Sequence, residues 1–567
     1  MEVFFQQLRD FPFIALFLTL GLGFLVGKFK VGKFVLGGIA GTLIVGVLLG
    51  QVGGIHVSEG VKDIFFSLFI FMVGYLGGPQ FFASLKPSAI KYLIAAVGMT
   101  VLGLLTVLGV SIWAGLDAGL AAGLAAGGLT QSAIIGTAGD AIDNLGLAGD
   151  VAKNLKTNVA VGYSITYIFG SIGPILMVGL IPIVMKWDIR KAAIALAAKM
   201  GGAGELGEGE FSPLTRVNTR AFKLGKSSKF LNKTVKELED KFGDDLTVEQ
   251  VITDNKGMEP EPSMILKEGN VLFISGLVTA FSKAGSSFGT EISEFGENID
   301  FTEEVRSIIL TNKKLHGLTL SQVLEKATAE QRHGIYVSGI SRMANPIPVL
   351  NGTELHKGDE IHLVGRKKDL DRVQKLVGYK APSINVTEFA TLGLAMAVGY
   401  LIGEISFTID GTAVSLGSGL GCLGSGLLFG FLRTRHPKMG AVNTGAAVFL
   451  QSFGLAVFVG IVGLNAGEPA LEAIKEHGVT LLLLGVVVTI LPMIIQFVLN
   501  YYMFKIKEPI TALGVLTGSK SANPGLATLL AAAGNSTPTP SFTMAYAVAN
   551  IFLTLWGPII VAIIANM

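Results

Sequence analysis

Charge is concentrated in the middle of this chain. Of its 86 Asp, Glu, Lys and Arg residues, 53 fall within 190–380, which leaves about 9% charged positions in the flanking segments, against about 25% in an average soluble domain. Such a pattern reads as a membrane block, a water-soluble insert and a second membrane block. The 74 glycines follow no collagen period and suit closely packed membrane helices. A net charge of +2 leaves no nucleic-acid footprint. The one cysteine excludes a disulfide scaffold and a multi-cysteine metal cluster. Phe11 to Val26 is followed by Lys28, Lys30 and Lys33 rather than by a small-residue cleavage site, so it does not read as a removable signal.

The first block holds apolar runs near 11–27, 34–51, 64–83, 91–115 and 157–185, and the second near 386–403, 414–432, 441–465, 478–503 and 542–565. Each is about long enough to cross a hydrocarbon core of ~30 Å. Two further segments, 118–143 and 509–535, are interrupted by polar and glycine residues, and each fits two half-helices better than one crossing. The positive-inside rule then sets the orientation. Lys28, Lys30 and Lys33, Lys86 and Lys91, and Lys186, Arg190 and Lys191 mark inner loops of the first block; Arg433, Arg435, His436 and Lys438, and Lys505 and Lys507, mark those of the second. Parity makes 118–143 enter and leave on the outer side and 509–535 on the inner side.

The expected fold is a polytopic α-helical membrane protein of two inverted repeats. Each repeat has five transmembrane helices and one re-entrant hairpin: 1–189 with hairpin 118–143, and 381–567 with hairpin 509–535. A cytoplasmic α/β insert, 190–380, separates them, and both termini lie outside. Internal matches occur in the same order in both halves. Gly23-Phe-Leu-Val-Gly27 matches Gly399-Tyr-Leu-Ile-Gly403, Val73–Gly78 matches Val462–Gly467, and Tyr163–Phe169 matches Tyr546–Phe552. The insert is doubled as well, with modules near 218–285 and 304–378. Alternating apolar residues and Gly turns predict strands, and 320–327 and 369–377 predict amphipathic helices. The pair resembles a tandem of TrkA-C-type modules, which implies an unidentified regulatory ligand; a folded spacer or dimerisation element is the other reading. No P-loop or Gly-x-Gly-x-x-Gly fingerprint supports a nucleotide, and no cofactor is expected.

Inverted repeats with interrupted helices are a secondary-transporter pattern, with substrate bound where half-helix ends face a midplane cavity. Exposed N–H groups at such ends suit a carboxylate. The candidate substrate-binding residues are Gly128, Thr130, Gln131 and Ser132 at the first tip and Ser519, Lys520, Ser521 and Asn523 at the second. Tyr163, Tyr546 and Asn550, on the helices that follow, complete the set. Lys520 is the sharpest of these, because a lysine at mid-membrane costs about 2.5–3.5 kcal/mol on insertion scales; the alternative is an ammonium that snorkels to lipid phosphates. Capping and helix packing are the alternatives for the polar tip residues and the tyrosines. Asp140 and Asp143 read as solvated loop residues at the outer face, with proton carriers as the alternative. The seven histidines show no metal spacing, and no nucleophile–base arrangement suggests an enzyme.

Leu120-Ala-Ala-Gly-Leu-Ala-Ala-Gly-Gly-Leu-Thr-Gln-Ser-Ala-Ile-Ile-Gly136 resembles the hairpin of the aspartate:alanine exchanger family. Gly74–Pro79, Phe431–Pro437 and Phe453–Gly460 are also similar to that family, so the resemblance spans nearly the whole chain. It implies an antiporter of the bacterial inner membrane, a homodimer embedded in the lipid bilayer, that moves aspartate in and alanine out, or in other branches dicarboxylates such as succinate, or glutamate. The hairpins would ride an elevator-like bundle. In the aspartate branch an arginine lies within the motif seen here as Gly74–Pro79, where this chain has Leu76. That leaves the substrate pair open, with Lys520 or Arg433 as possible substitutes. A ligand-gated channel is the runner-up, and it lacks a Thr-Val-Gly-Tyr-Gly type filter.

Overall fold

The structure, a computed structural model, describes residues 2–31, 34–85, 90–200, 217–254, 256–292, 303–381, 389–409, 412–434 and 442–567. Lys33, Lys86, Arg435, His436 and Lys438, used above for orientation, lie outside the described residues. The chain divides into two compact units. The first is Met1–Ala193, Pro382–Ala533 and Thr537–Met567; the second is Ile194–Ala381 with Gly534–Ser536.

In chain order the first unit opens with α1 (Glu2–Asp10), α2 (Pro12–Gly27), a two-strand turn of β1 (Lys30–Val31) and β2 (Phe34–Val35), α3 (Gly38–Gly50), α4 (Glu59–Ser84) and α5 (Ile90–Ala114). Next come α6 (Ala118–Gly128), α7 (Ala133–Asp143), α8 (Gly149–Met185) and α9 (Ile189–Lys199).

The second unit holds two antiparallel five-stranded sheets. The first module is β3 (Val217–Lys223), α10 (Val235–Phe242), β4 (Leu246–Thr253), β5 (Lys256–Met258), β6 (Val271–Leu277), α11 (Val278–Ala284) and β7 (Thr290–Ile292). The second is β8 (Glu303–Leu310), α12 (Leu320–Lys326), α13 (Ala329–Arg332), β9 (Ile335–Arg342), β10 (Asn345–Ile347), β11 (Glu360–Arg366), α14 (Lys367–Val377) and β12 (Gly378–Lys380). The strand orders, β5-β4-β6-β3-β7 and β10-β9-β11-β8-β12, are one topology used twice. Both modules start their first helix with a capping box, Thr234 with Glu237 and Thr319 with Gln322, which satisfies end N–H groups that the helix itself leaves unpaired. Each module has its own core, around Phe288 and Leu272 in one and Ile308 and Leu370 in the other.

The chain then returns to the first unit through α15 (Phe389–Gly403), the hairpin β13 (Ser406–Ile409) and β14 (Thr412–Ser415), α16 (Gly417–Leu432), α17 (Thr444–Val498), α18 (Pro509–Ser519), α19 (Asn523–Ala533) and α20 (Thr539–Ala565). Helix α17 breaks at Gly467, whose φ is +52°, so it contributes two limbs, Thr444–Gly467 and Pro469–Met503. Glycine tolerates that backbone without a Cβ penalty, and Pro469 then starts the next limb.

Among the described residues, six helices are long and apolar enough to span a bilayer: α4, α5, α8, the two limbs of α17, and α20. The other four expected crossings are shorter. Helices α3, α15 and α16 have 13, 15 and 16 residues, fewer than the ~20 a perpendicular crossing needs. Helix α2 has 16 and meets α1 at a 105° bend. The short helices pack in pairs, with backbones close enough that a Cβ on Gly41 would lie 2.1 Å from the Gly23 carbonyl, and one on Gly421 2.1 Å from that of Gly399.

Candidate functional site

Both interrupted segments are built alike. Asp117 accepts from Leu120 N at 2.8 Å to start α6; Glu508 accepts from Ile510 N at 3.1 Å and Thr511 N at 2.6 Å to start α18. These acidic caps fit the positive helix N-terminus. Both helices run 11 residues and end in a left-handed residue, Thr130 with φ +56° and Ser521 with φ +53°. Gln131 N bonds Ala126 O at 2.8 Å, and Ala522 N bonds Thr517 O at 3.1 Å, closing the same six-to-one helix stop. The left-handed step falls on Thr130, not on Gly127 or Gly128. Those glycines serve close approach instead: a Cβ on Gly127 would lie 2.1 Å from Thr166 Oγ1 on α8.

The two tips meet. Thr130 Oγ1 donates to the Lys520 carbonyl at 2.9 Å, and Lys520 Nζ donates to the Gly128 carbonyl. Thr489 Oγ1, on the second limb of α17, donates to the same Gly128 carbonyl at 2.9 Å. Around this reciprocal pair, Gln131 Nε2 donates to the Asn550 carbonyl and Oδ1, both at 3.1 Å, and Ser132 Oγ shares a 2.8 Å hydrogen bond with the Tyr163 hydroxyl. Lys520 is 1% exposed and sits against carbonyls rather than a carboxylate. Ser521 Oγ is buried without a partner.

The structure thus joins Gly128, Thr130, Gln131, Ser132, Lys520, Tyr163 and Asn550, with Ser521 beside them. Three candidates stand apart. Ser519 Oγ bonds back to Val515 O of its own helix at 2.7 Å, Asn523 is exposed at the start of α19, and Tyr546 stacks on Phe542 at 5.1 Å. Sequence reasoning missed Thr489, which sits in an apolar run with no local signal. It also read Asp140 and Asp143 as loop residues, whereas both belong to α7, Asp143 at its exposed end. Asp140 accepts from Gly419 N at 3.2 Å and Ser418 Oγ at 3.3 Å at the N-terminus of α16, and Asp143 pairs with Lys156 at 2.6 Å.

Those two carboxylates line a cavity of about 400 Å³ between α4, α7, α8 and the first limb of α17, with Glu59, Lys62, Asp63, Lys153 and Lys156 also in its wall. It runs along α7 as far as Ile135 and Gly136, short of the tips. Among the described residues no group of three or more His, Cys, Asp or Glu could hold a metal.

Residues 15–183 and 391–562 match the model of the aspartate–alanine exchanger family, described as a predicted permease membrane region. The chain belongs to that family. It is a membrane protein of a transporter family, similar to proteins named as transporters rather than enzymes. An uncharacterized transporter of Francisella tularensis is 43% identical over 99% of both chains, and one of Zymomonas mobilis is 39% identical, again over 99% of both. The aspartate/alanine antiporter of Tetragenococcus halophilus is 29% identical over 98% of both chains. No solved structure matches.

Proposed function

We propose that this exchanger-family protein is an antiporter for small carboxylates, aspartate for alanine first, working by an elevator-like alternating-access cycle. The observation that carries this reading is the buried Lys520 ammonium, bonded to a neutral carbonyl of the opposite segment's tip rather than to a carboxylate. An incoming carboxylate displaces the Gly128 carbonyl from Lys520, gains a charge-assisted hydrogen bond and separates the tips. The N-termini of α7 and α19 favour the same charge. The cavity along α7, whose wall carries both carboxylates and lysines, is the approach.

In this reading the two halves are inverted repeats, 118–143 and 509–535 are re-entrant hairpins from opposite faces, and a homodimer in the inner membrane supplies the fixed frame. The insert is a cytoplasmic pair of TrkA-C-like modules that answers an unidentified ligand. Packing supports the repeat: a Cβ on Gly74 of α4 would lie 2.5 Å from the Leu423 carbonyl of α16, and one on Gly463 of α17 2.9 Å from the Leu43 carbonyl of α3. Those glycines occupy matched positions of the two internal copies.

A dicarboxylate substrate is the second reading. Among the described residues, none of the side chains hydrogen-bonded at the tips is acidic, so no carboxylate there holds a substrate ammonium, and Leu76 stands where the aspartate branch has arginine. Counterflow into proteoliposomes with labelled aspartate, alanine, glutamate and succinate decides between them. Aspartate–alanine exchange supports the first reading and succinate exchange without aspartate the second. Counterflow of none of the four ends both.

A further inference from the structure

The joint between the two modules of the second unit carries a buried carboxyl that the transport reading does not use. Glu249, on β4 of the first module, is 3% exposed, and its Oε1 has no hydrogen-bond partner. Asp369, on α14 of the second module, is equally buried. The two converge on Gly334, whose φ is +69°: a Cβ there would lie 3.2 Å from Asp369 Oδ2 and 3.5 Å from Glu249 Oε1. A side chain at 334 would wedge the carboxyls apart.

Cations flank the pair without neutralising both members. Arg372 Nη1 takes Asp369 Oδ1 at 2.6 Å. Arg366 spends Nη1 on the Glu249 backbone carbonyl at 2.8 Å and leaves its Nε 4.0 Å from the Glu249 carboxyl. His333, just before Gly334, bonds Glu239 of the first module at 3.0 Å. Glu303, which also acts on the Glu249 carboxyl, accepts from Thr219 at 2.7 Å and Ser275 at 2.6 Å. Ion pairs of Arg332 with Asp244 and of Arg366 and Lys368 with Glu259 also cross the joint, together with hydrogen bonds such as Tyr336 OH to the Ser275 carbonyl at 2.8 Å. A buried carboxyl with a second, Arg372-paired carboxylate close by does not ionise cheaply, so in the closed joint Glu249 holds a proton that separated modules release.

We propose that the Glu249–Asp369 pair makes this joint a proton-operated clamp, closed when the pair holds one proton and loosened when the proton leaves. Burial pushes the Glu249 carboxyl up to about 8, with Asp369 adding to the rise and Arg366 and His333 opposing it. A carboxyl raised by closure favours the closed state fully below its free value of 4.5, and that preference is lost as pH climbs through about 8. His333, raised by its bond to Glu239, gives the same sign: its contribution is present at low pH and lost as pH rises through its raised value.

The test uses the full-length protein with Cys422→Ala and spin labels at the exposed positions Lys236→Cys and Glu325→Cys, read by pulsed EPR distance from pH 5.5 to 9.5. We expect one narrow distance at pH 5.5 and a longer population that grows above pH 7. Glu249→Gln, nearly isosteric, keeps the narrow distance throughout and cuts the long population at pH 9 at least fivefold; the narrow distance at pH 5.5 reports that the variant is folded. Asp369→Asn, which removes the like charge, also shrinks the long population. A wild-type distance unchanged across the range, or equal growth in wild type and Glu249→Gln, overturns the proposal. The readout is independent of transport.

Discussion

Lys520 is where a single side chain decides most. Its ammonium is shut from water and bonded to a carbonyl of the opposite tip, an arrangement that costs desolvation and returns only a neutral acceptor. A bound carboxylate changes that balance, since it replaces a neutral acceptor with an opposite charge. Lys520→Gln is therefore expected to raise the apparent KM for the more acidic substrate about 10-fold or more, while that for alanine changes less than about 3-fold. Concentration-dependent counterflow for each substrate checks it, and equal losses for both return Lys520 to a packing role. Leu76 marks the other side of the substrate question. Arg433 packs its guanidinium 4.4 Å from the ring of Tyr75, the residue before Leu76, so a cation stands near the arginine-bearing motif of the aspartate branch although position 76 supplies none. Arg433→Lys keeps the charge and loses the planar stacking. If Arg433 serves that branch's role, the variant weakens aspartate counterflow more than succinate counterflow.

Among elements, the close pairing of α6 with α8 is what fixes the first tip. A Cβ on Gly123 would lie 2.4 Å from the Val159 carbonyl and one on Gly127 2.1 Å from Thr166 Oγ1, whereas one on Gly139 of α7 would meet nothing within 4 Å. Gly127→Ala must push α6 off α8, at about the 1–3 kcal/mol typical of overpacking. The expected result is a lowered melting temperature and loss of counterflow, with Gly139→Ala matching wild type in both; equal behaviour of the two variants removes α6–α8 contact as the reason for these glycines. Element positions were legible because apolar runs and Gly/Pro breaks are local signals: the run at 91–115 is the helix Ile90–Ala114, and both broken segments hold paired 11-residue helices. Partnership was not legible. Nothing around Thr489 announces that its hydroxyl meets Gly128, and Asp140 reads as a loop residue until α16 begins beside it. The left-handed residue at each tip is Thr130 or Ser521 and not a glycine because the six-to-one stop falls there, while glycine is needed one turn earlier for packing.

At the scale of the whole molecule, the proposed mechanism requires the two broken segments to enter from opposite faces yet touch. Each left-handed residue lies thirteen positions after its acidic cap, about 20 Å at 1.5 Å per helical residue, which is more than half of a ~30 Å core. Two such arms from opposite sides reach a common level and can meet as Thr130 and Lys520 do. Arms from one side would meet equally well, so contact alone does not fix sidedness; labelling does. In a Cys422→Ala background, single cysteines at Ala114 and Leu147 bracket the first segment, and cysteines at Lys507 and Asn535 bracket the second. The expected outcome is that an impermeant thiol reagent applied to intact cells modifies the first pair and spares the second, with the pattern reversed in inside-out vesicles. If Ala114 and Leu147 react from different faces, α6 and α7 together cross the membrane and the tip is no hairpin end. If all four react from one face, the halves are parallel, and Lys520 reaches its carbonyl from the same side as the ligand it was meant to receive. In either case the gate formed by the two tips could not open to each side in turn, and alternating access through this site would fail with it.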